Sequence, residues 1–454
     1  MLDRNQLVRR RTQKIGLCAI LWWGFTANAA DLWETYQMAL ESDPRLEQAA
    51  AVLRAVEQSH PQVRAGLLPQ VDIIGRIDDT NQEGSRIGLL PDGAIGVRDI
   101  TTDSDGEVYS LELRQSIVDR STWLQLGRTK EVIAAEASRY AAAVQDLMLE
   151  VAIRYFDLLA ADDQLAAAVA AREAVSRQQQ QAENMRSVGL VAGTDVKEAQ
   201  AAYDRSVADV IAAERERALA SERLRLLTAA APAQLAGTSE SIPLSPPDPP
   251  QVDAWIQRAL STNPRVEVRH RELQAARTDV DIARAQRWPV LDLVVSRSVV
   301  DRRSTNVFET LDIDEDMIGL EFRLPVFSGG LIRARVRESV ELRSGAEAAL
   351  EFERRLVEQE VRDAYLGVIS QIARAQAVEK AVQSAKAALD ATEDGFRVGT
   401  RTTVEVLDAR RNLLAAEVAL ARSRYDYLLE GLRLQAVAGT LDEPALREVN
   451  SFLQ

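Results

Sequence analysis

The chain has 454 residues, of which 46% are hydrophobic and 27% charged, so it is long enough for several domains and too apolar to be disordered throughout. Its formal net charge is −14. An acidic chain lacks the basic surface that a phosphate backbone requires, which argues against nucleic acid as a partner.

The amino terminus, residues 1–29, has the pattern of a secretory signal peptide. Basic residues up to Lys14 precede an apolar run from Ile15 to Phe25, and Ala27-Asn28-Ala29 supplies a cleavage site. The apolar run has about half the length that a transmembrane helix needs. Cleavage would remove Cys18, the single cysteine, together with five basic residues and one acid, and would leave a net charge of −18.

The rest of the chain contains one unit twice. The string "MALESDPRLEQAAAV" matches "RALSTNPRVEVRHRE", "LELRQSI" matches "LEFRLPV", and Val188-Gly189 matches Val398-Gly399, all in the same order. The predicted repeats cover 30–228 and 251–436. A proline-rich linker at 229–250 joins them, and a final segment at 437–454 follows. Two copies are too few for a solenoid, so we expect two pseudo-symmetric halves packed side by side.

Each repeat is expected to begin with a helix and a pair of strands, at 69–79 and 106–118 in the first and at 289–300 and 315–326 in the second. Apolar residues alternate with polar ones: Tyr109, Leu111, Leu113 and Ile117 share one face. Alternation over about ten residues is typical of outer-membrane strands, although a soluble two-sided sheet has the same pattern.

The segments that lie between the paired strands favour a location of these strands in the membrane. Each pair brackets a polar segment, Asp78–Asp105 or Asp301–Asp314, which we predict to be an extracellular loop. Four strands cannot close a barrel, because the smallest common barrel has about eight and an open edge is not tolerated in lipid. The predicted barrel must therefore be assembled from several subunits.

Long helices follow each strand pair. Residues 121–187 and 331–397 contain no proline and predict two helices about 100 Å long, followed by helices over 194–228 and 403–436. Apolar residues at coiled-coil spacing predict that these helices pack on other helices. They are Val144, Met148, Val151, Tyr155, Leu158, Leu165 and Val169, and then Val406, Leu413, Leu420 and Tyr427.

Two other classes of protein compete with a multi-subunit barrel in the outer membrane. An enzyme is poorly supported, because the two histidines, His60 and His270, lie in helical contexts and no glycine-rich phosphate loop follows a strand. A periplasmic adaptor of an efflux system also carries a long helical hairpin. Adaptors have one such hairpin, whereas this chain has two, together with paired barrel strands.

The strings "LRQSIVDRSTW", "EFRLPVFSGG", "VGLVAGTDV" and "VGTRTTVEVLDA" resemble those of the TolC family of outer-membrane efflux and type I secretion channels. The resemblance runs through nearly the whole mature chain. It implies a mixed α/β membrane protein: a homotrimer whose twelve strands, four per chain, form one transmembrane β-barrel continued by a coiled-coil α-helical tunnel in the periplasm. It also implies passive conduction without a cofactor. The partners would be a membrane-fusion adaptor and an inner-membrane ABC or RND-type transporter.

The breaks after the long helices are the predicted hairpin tips at the periplasmic end. Gly189 and Gly399 allow the turns, while Thr194 and Thr403 are suited to capping the returning helices. By resemblance, bonds that close the tip fall on Thr194, Asp195 and Arg401, with Arg401 to Asp195 tying neighbouring coils together. Phe396 stands where close relatives have a tyrosine that bonds the same acid, so the closed state is expected to be less tightly latched.

Glu405 and Asp408 lie just past the second break, three residues apart and therefore on one face of a helix. In a threefold assembly they would place six carboxylates around the narrowest opening, a ring that attracts cations and repels anions. Like charges this close are expected to raise some of the carboxyl pKa values.

Overall fold

The structure is a computed structural model that describes residues 29–89, 93–189, 191–230, 234–238, 242–305 and 310–453. The predicted signal peptide lies outside the described residues apart from Ala29.

The same order of elements occurs twice along the chain. The first half contains the helices and strands α1 (Leu32–Ser42), α2 (Pro44–Glu57), α3 (Ser59–Ala65), β1 (Gln70–Leu89), β2 (Ile95–Val118), α4 (Arg120–Ser187) and α5 (Gly193–Thr228). The second half contains α6 (Val252–Thr262), α7 (Pro264–Ala285), β3 (Val290–Ser304), β4 (Leu311–Arg323), α8 (Leu331–Arg397) and α9 (Thr403–Val437), and α10 (Glu443–Asn450) ends the chain.

The long helices α4 and α8 contain 68 and 67 residues. Their bounds agree with the predicted ranges 121–187 and 331–397 to within one residue. The predicted seam of α4 is buried at its centre, where Val151 and Tyr155 have no exposed surface. Val406, Leu413, Leu420 and Tyr427 on α9 are half-buried. Paired helices of this length do not fit a compact domain, since a helix rises 1.5 Å per residue.

The four strands form one antiparallel sheet in the order β1-β2-β3-β4. Within the described part of the chain, β1 and β4 are edge strands with a single neighbour each. Ile117 departs from the expected alternation, because the register between β2 and β3 shifts between Ser116 and Val118. A bulge of this kind adds an unpaired residue and rotates the strand that leaves the sheet.

The predicted extracellular loops at Asp78–Asp105 and Asp301–Asp314 are wrong, because the strands continue through most of both segments. β1 and β2 pair from Gln70↔Arg114 up to Leu89↔Ile95, and β3 and β4 pair up to Arg302↔Leu311. Both faces of these strand segments carry mainly polar side chains, so the alternation of apolar and polar residues that identifies a strand is missing there. Their backbone groups are satisfied by the cross-strand ladder, which requires no apolar face.

The two faces of the sheet differ in chemistry near the helices. On one face Ile73, Leu320 and Phe322 are mostly exposed, with Ile73 at 81%. On the other face the Arg114 guanidinium reaches across strands to Asp292 and Glu321, at 3.4 and 3.1 Å. An apolar outer face and a charged inner face are the arrangement of a strand that separates lipid from water.

Among the helices that the structure describes, none combines the length and hydropathy required to cross a membrane.

The main core lies near the middle of α4, where α1, α9 and α10 pack around it. Tyr36, Phe156 and Leu432 are buried there, and the ring of Phe156 stacks on Tyr425 at 5.5 Å. A second core joins α6 to α8 through Trp255 and Val357. Backbone bridges from Ala30 to Leu235 and from Thr238 to Leu453 hold the residues just before α1 and just after α10 against the segment 234–238. These cores fix the starting points of both helical hairpins.

Replacing Tyr155 with phenylalanine is expected to lower the free energy of unfolding by about 1–3 kcal/mol. The buried hydroxyl donates to the Ala236 carbonyl at 2.8 Å, and its removal leaves that carbonyl without its donor. Thermal unfolding followed by circular dichroism measures the change. Tyr365→Phe is the matched control, because the Tyr365 hydroxyl bonds the exposed Pro250 carbonyl, which water can solvate instead. Equal losses in the two variants would contradict a buried role for Tyr155.

Candidate functional site

The candidate site is built from the tips of the two helical hairpins. At the first tip α4 ends at Ser187, and Gly189 adopts a φ of 75°, the left-handed conformation that glycine reaches without strain. The chain turns and α5 begins at Gly193. A Cβ on Gly193 would lie 3.6 Å from the Arg186 guanidinium carbon, so the side chain of Arg186 lies beside the start of α5.

The second tip has the same turn, with Gly399 at a φ of 78°. The Gly395 carbonyl accepts hydrogen bonds from the Thr400 and Arg401 N–H groups at 2.8 and 3.2 Å. Bonds of this type satisfy the carbonyls that a helix leaves unpaired at its end. The two glycines predicted to form the turns therefore have the predicted conformation.

The caps differ from the prediction. The residue that caps α9 is Thr402, not Thr403: its Oγ1 accepts from the Glu405 N–H at 3.3 Å. Thr194 does not cap α5, and Asp195 instead bonds back to Ala192, the residue that precedes the helix. One Asp195 carboxylate oxygen accepts from the Ala192 N–H at 3.3 Å. Both helices begin one or two residues earlier than the threonines implied.

Glu405 completes a reciprocal cap at the start of α9. Its carboxylate accepts from the Thr402 N–H at 2.7 Å and from the Arg401 guanidinium at 2.7 Å. These donors lower the pKa of Glu405 to about 2, with the Thr402 N–H as the largest cause. Within one chain, donors of its own tip lower the pKa of Glu405. The expected rise from like charges of neighbouring subunits stays a prediction for the assembled ring.

Arg401 is positioned by a residue that the sequence pattern did not single out. A Cβ on Gly395 would lie 2.6 Å from Arg401 Cγ, so glycine leaves room for this side chain to cross the end of α8. Among the residues that the structure describes, Arg401 pairs with Glu405, while Asp195 serves its own helix. The predicted bond from Arg401 to Asp195 is not made within one chain. It stays a prediction for contacts between neighbouring coils.

A cleft of about 760 Å³ brings three of the predicted residues together. Asp195, Phe396 and Asp408 line it, with Met185 and Leu407 among its apolar residues. The Gln178 side-chain amide of α4 donates to the Thr403 carbonyl of α9 at 3.4 Å and links the two hairpins beside it. The cleft lies between the tips, and its wall combines apolar residues with acids and with Arg205 and Arg411, the second of which pairs with Asp408 at 3.9 Å.

Replacing Thr402 with alanine is expected to accelerate hydrogen exchange of the Glu405 amide by about fivefold. The variant removes the hydroxyl that accepts from this N–H, so the first turn of α9 frays more often. Hydrogen exchange read by mass spectrometry measures the change. Thr403→Ala is the control, since Thr403 lies in the same turn without being the cap. Faster exchange in the Thr403 variant alone would reverse the assignment.

The model of the family described as outer membrane efflux protein matches residues 35–230 and 255–440, which cover both halves of the chain. The chain belongs to this family.

Curated relatives and a solved structure extend the match over the full fold. The outer membrane protein TolC of Escherichia coli K12 is 33% identical over 95% of this chain and 87% of that protein. The alkaline protease secretion protein AprF of Pseudomonas aeruginosa is 28% identical over 93% of this chain and 87% of that protein. The outer membrane protein VceC of Vibrio cholerae superimposes with a TM-score of 0.72 at 20% identity, over 90% of this chain and 97% of that chain.

Membership of the family places this efflux channel protein in the outer membrane. Its four-stranded sheet contributes to the barrel, and its paired long helices continue it as a tunnel. The adaptor alternative is set aside, because the family match includes both repeats.

His60 and His270 lie on α3 and α7, where they contact Thr129 and Gln274.

Proposed function

We propose that three copies of this chain form one channel, a passive exit duct across the periplasm and the outer membrane. The observation that carries this proposal is the sheet itself. It has an apolar outer face, a charged inner face and two open edges, and an open edge in lipid leaves backbone groups unsatisfied. Three sheets joined edge to edge would give twelve strands and close the barrel.

The duct supplies no energy and performs no chemistry of its own. An inner-membrane transporter of the ABC or RND type would select and drive the cargo, with a periplasmic adaptor joining the two. The cargo would be drugs, a secreted protein, or both. TolC and AprF, the relatives named for an outer-membrane protein and for protease secretion, support a shared exit route.

Single-channel recording tests this function. The signal-cleaved protein in a planar bilayer is expected to give a small conductance, because in the proposed gate the tips of the tunnel would be closed in the absence of adaptor. Chemical crosslinking of the same sample is expected to end at the trimer. Well-folded protein that stays silent, and remains silent after Arg401→Ser loosens the tip, would contradict a channel.

The tip residues are proposed as the gate. Thr194, Asp195 and Arg401 would bond between neighbouring coils in the closed state, and Arg401 would then exchange its Glu405 partner for Asp195. The side chains already lie at the same end of the molecule: Asp195 and Phe396 line one cleft, and Arg401 is fixed next to Thr402. Charge-assisted bonds of this kind are about twice as strong as neutral ones.

Phe396 makes the proposed gate weaker. A phenylalanine cannot bond Asp195, so restoring the hydroxyl with Phe396→Tyr is expected to add one hydrogen bond of about 0.5–1.5 kcal/mol per subunit. Closed-state conductance should fall about threefold or more. Phe396→Leu is the control, because it keeps the cleft apolar without adding a donor. A tyrosine variant that conducts as well as the unaltered channel would show that position 396 does not latch the tip.

A further inference from the structure

A second cleft, of about 400 Å³, lies where three connections between the sheet and the helices meet. Its wall is formed by Arg120 at the start of α4, by Trp288 between α7 and β3, and by Arg335 on α8. Here the strands pass into the long helices. In an outer-membrane channel this level is the boundary between the membrane and the periplasm.

Two arginines of this cleft have no acidic partner. The Arg120 guanidinium lies 4.4 Å from the centre of the Trp288 ring, and Arg335 donates to the Gln286 side-chain carbonyl at 3.0 Å. Within the described ranges neither makes an ion pair, whereas a third lining arginine, Arg323, pairs with Glu321. Two guanidinium groups therefore face a shared space with their charge uncompensated.

The backbone next to these arginines also favours an anion. α8 starts at Leu331 after Gly330, with no side-chain cap and no acid in its first turn. The Leu331 N–H donates to the Ser328 carbonyl at 3.0 Å, which leaves the N–H groups of Ile332 and Arg333 at the positive end of a 67-residue helix. Asp119 also lines the cleft, but its carboxylate is turned to α4. It accepts from the Ser121 and Thr122 N–H groups and from the Thr122 hydroxyl.

The rim of the cleft is apolar and exposed. Val326 and Phe327 are 89% and 88% exposed, and Phe322 follows on the lipid-facing side of β4. A free anion would make no use of this surface. Hydrocarbon chains attached to the anion would cover it, and aromatic side chains are typical of the level of the headgroups.

We propose that this cleft binds the phosphodiester headgroup of an anionic phospholipid in the periplasmic leaflet, with its acyl chains on the apolar rim. Arg120 and Arg335 hold the phosphate, which suits the planar fork of donors in a guanidinium group. The bound lipid occupies the start of α8 in place of a cap. It thereby fixes the joint between β4 and the tunnel.

The signal-cleaved protein in nanodiscs of equal parts phosphatidylglycerol and phosphatidylcholine tests the site. After mild detergent extraction, native mass spectrometry counts the lipids retained. The unaltered protein is expected to retain phosphatidylglycerol preferentially. Arg120→Gln with Arg335→Gln is expected to lower that retention by about tenfold, since each basic residue near an anionic surface contributes to lipid binding.

Arg287→Gln with Arg333→Gln is the matched control, because it removes the same charge from neighbouring positions that do not line the cleft. Arg120→Lys with Arg335→Lys keeps the charge and loses the planar fork of donors. This lysine pair is expected to retain an intermediate amount of phosphatidylglycerol, and such retention would show that the arginines can be changed without unfolding the protein. Equal loss in the glutamine pair and the control would overturn the proposal in favour of a diffuse basic belt. Displacement of the lipid by millimolar inorganic phosphate would overturn it in favour of a free-anion site.

Discussion

Replacing Gly439 with alanine is expected to lower the free energy of unfolding by about 3 kcal/mol or more. Gly439 has a φ of 71°, and a Cβ would lie 2.6 Å from both Asn263 Cα and the Thr262 carbonyl oxygen. These are backbone atoms, which cannot move aside as a flexible side chain would. The end of α9 would have to separate from the turn between α6 and α7.

The substitution would also disrupt two hydrogen bonds that stabilise this contact. The Thr262 hydroxyl donates to the Ala438 carbonyl and the Asn263 amide donates to the Val437 carbonyl, both at 2.7 Å. Chemical unfolding in detergent, followed by circular dichroism, measures the loss. Gly345→Ala on α8 is the control: nothing lies within 4 Å of its Cβ, and alanine should stabilise the helix by about 0.5–1 kcal/mol. A midpoint for Gly439→Ala equal to that of the unaltered protein would refute the close contact.

Neutralising the proposed ring, with Glu405→Gln and Asp408→Asn, is expected to abolish most of the cation selectivity of the channel. In a trimer the double variant removes six negative charges from the narrowest opening, where charged walls concentrate counter-ions about tenfold or more. Both amides keep the volume of the side chains they replace, and glutamine can still accept from the Thr402 N–H. Reversal potentials in a potassium chloride gradient measure the selectivity.

The control for this pair is Asp390→Asn with Asp394→Asn, which removes the same charge from exposed positions of α8 outside the cleft. It should leave selectivity unchanged. If both double variants lose selectivity equally, the charge of the whole tip, and not a ring at Glu405 and Asp408, controls the ions.

The pH dependence of the ring follows from the lowered pKa of Glu405. Because its pKa is about 2, its contribution to the stability of the tip is present above the ordinary glutamate pKa of 4.5 and is lost as the pH falls from there towards 2. Selectivity remaining in Asp408→Asn should therefore stay constant between about pH 7 and pH 4. A decline across that range would show that Glu405 is released from Thr402 and Arg401 in the assembled channel.

The long helices and the two turns could be predicted from the sequence because their causes are local. The absence of proline, the apolar seam through Val151 and Tyr155, and glycine at 189 and 399 act within a few residues of chain. The duplication was equally legible, since matching strings preserve their order. These features alone also fit a helical rod, and the alternating strands and the family resemblance were what favoured a channel.

The strands were predictable where one face is apolar and not where both are polar. β1 continues to Leu89 because β2 supplies its hydrogen-bond partners. Residues 79–89 have no sequence pattern of their own that predicts this pairing. The bulge at Ile117 has the same origin: its register depends on where β3 lies. Cross-strand bonds join residues far apart in sequence, so the extent of a strand is decided by its neighbour.

At the tips, too, some features could be predicted from the sequence and others required the structure. By itself the sequence determined which acids lie beside the turns, because spacing along a helix sets which side chains share a face. The sequence also carries the signal for the cap, because Thr402-x-x-Glu405 is a capping box, which the assignment to Thr403 missed. The structure was needed to show that Gly395 makes room for Arg401 and that donors of the tip lower the pKa of Glu405. A hydrogen bond or a pKa depends on distances of a few tenths of an ångström, and those distances exist only after the chain has folded.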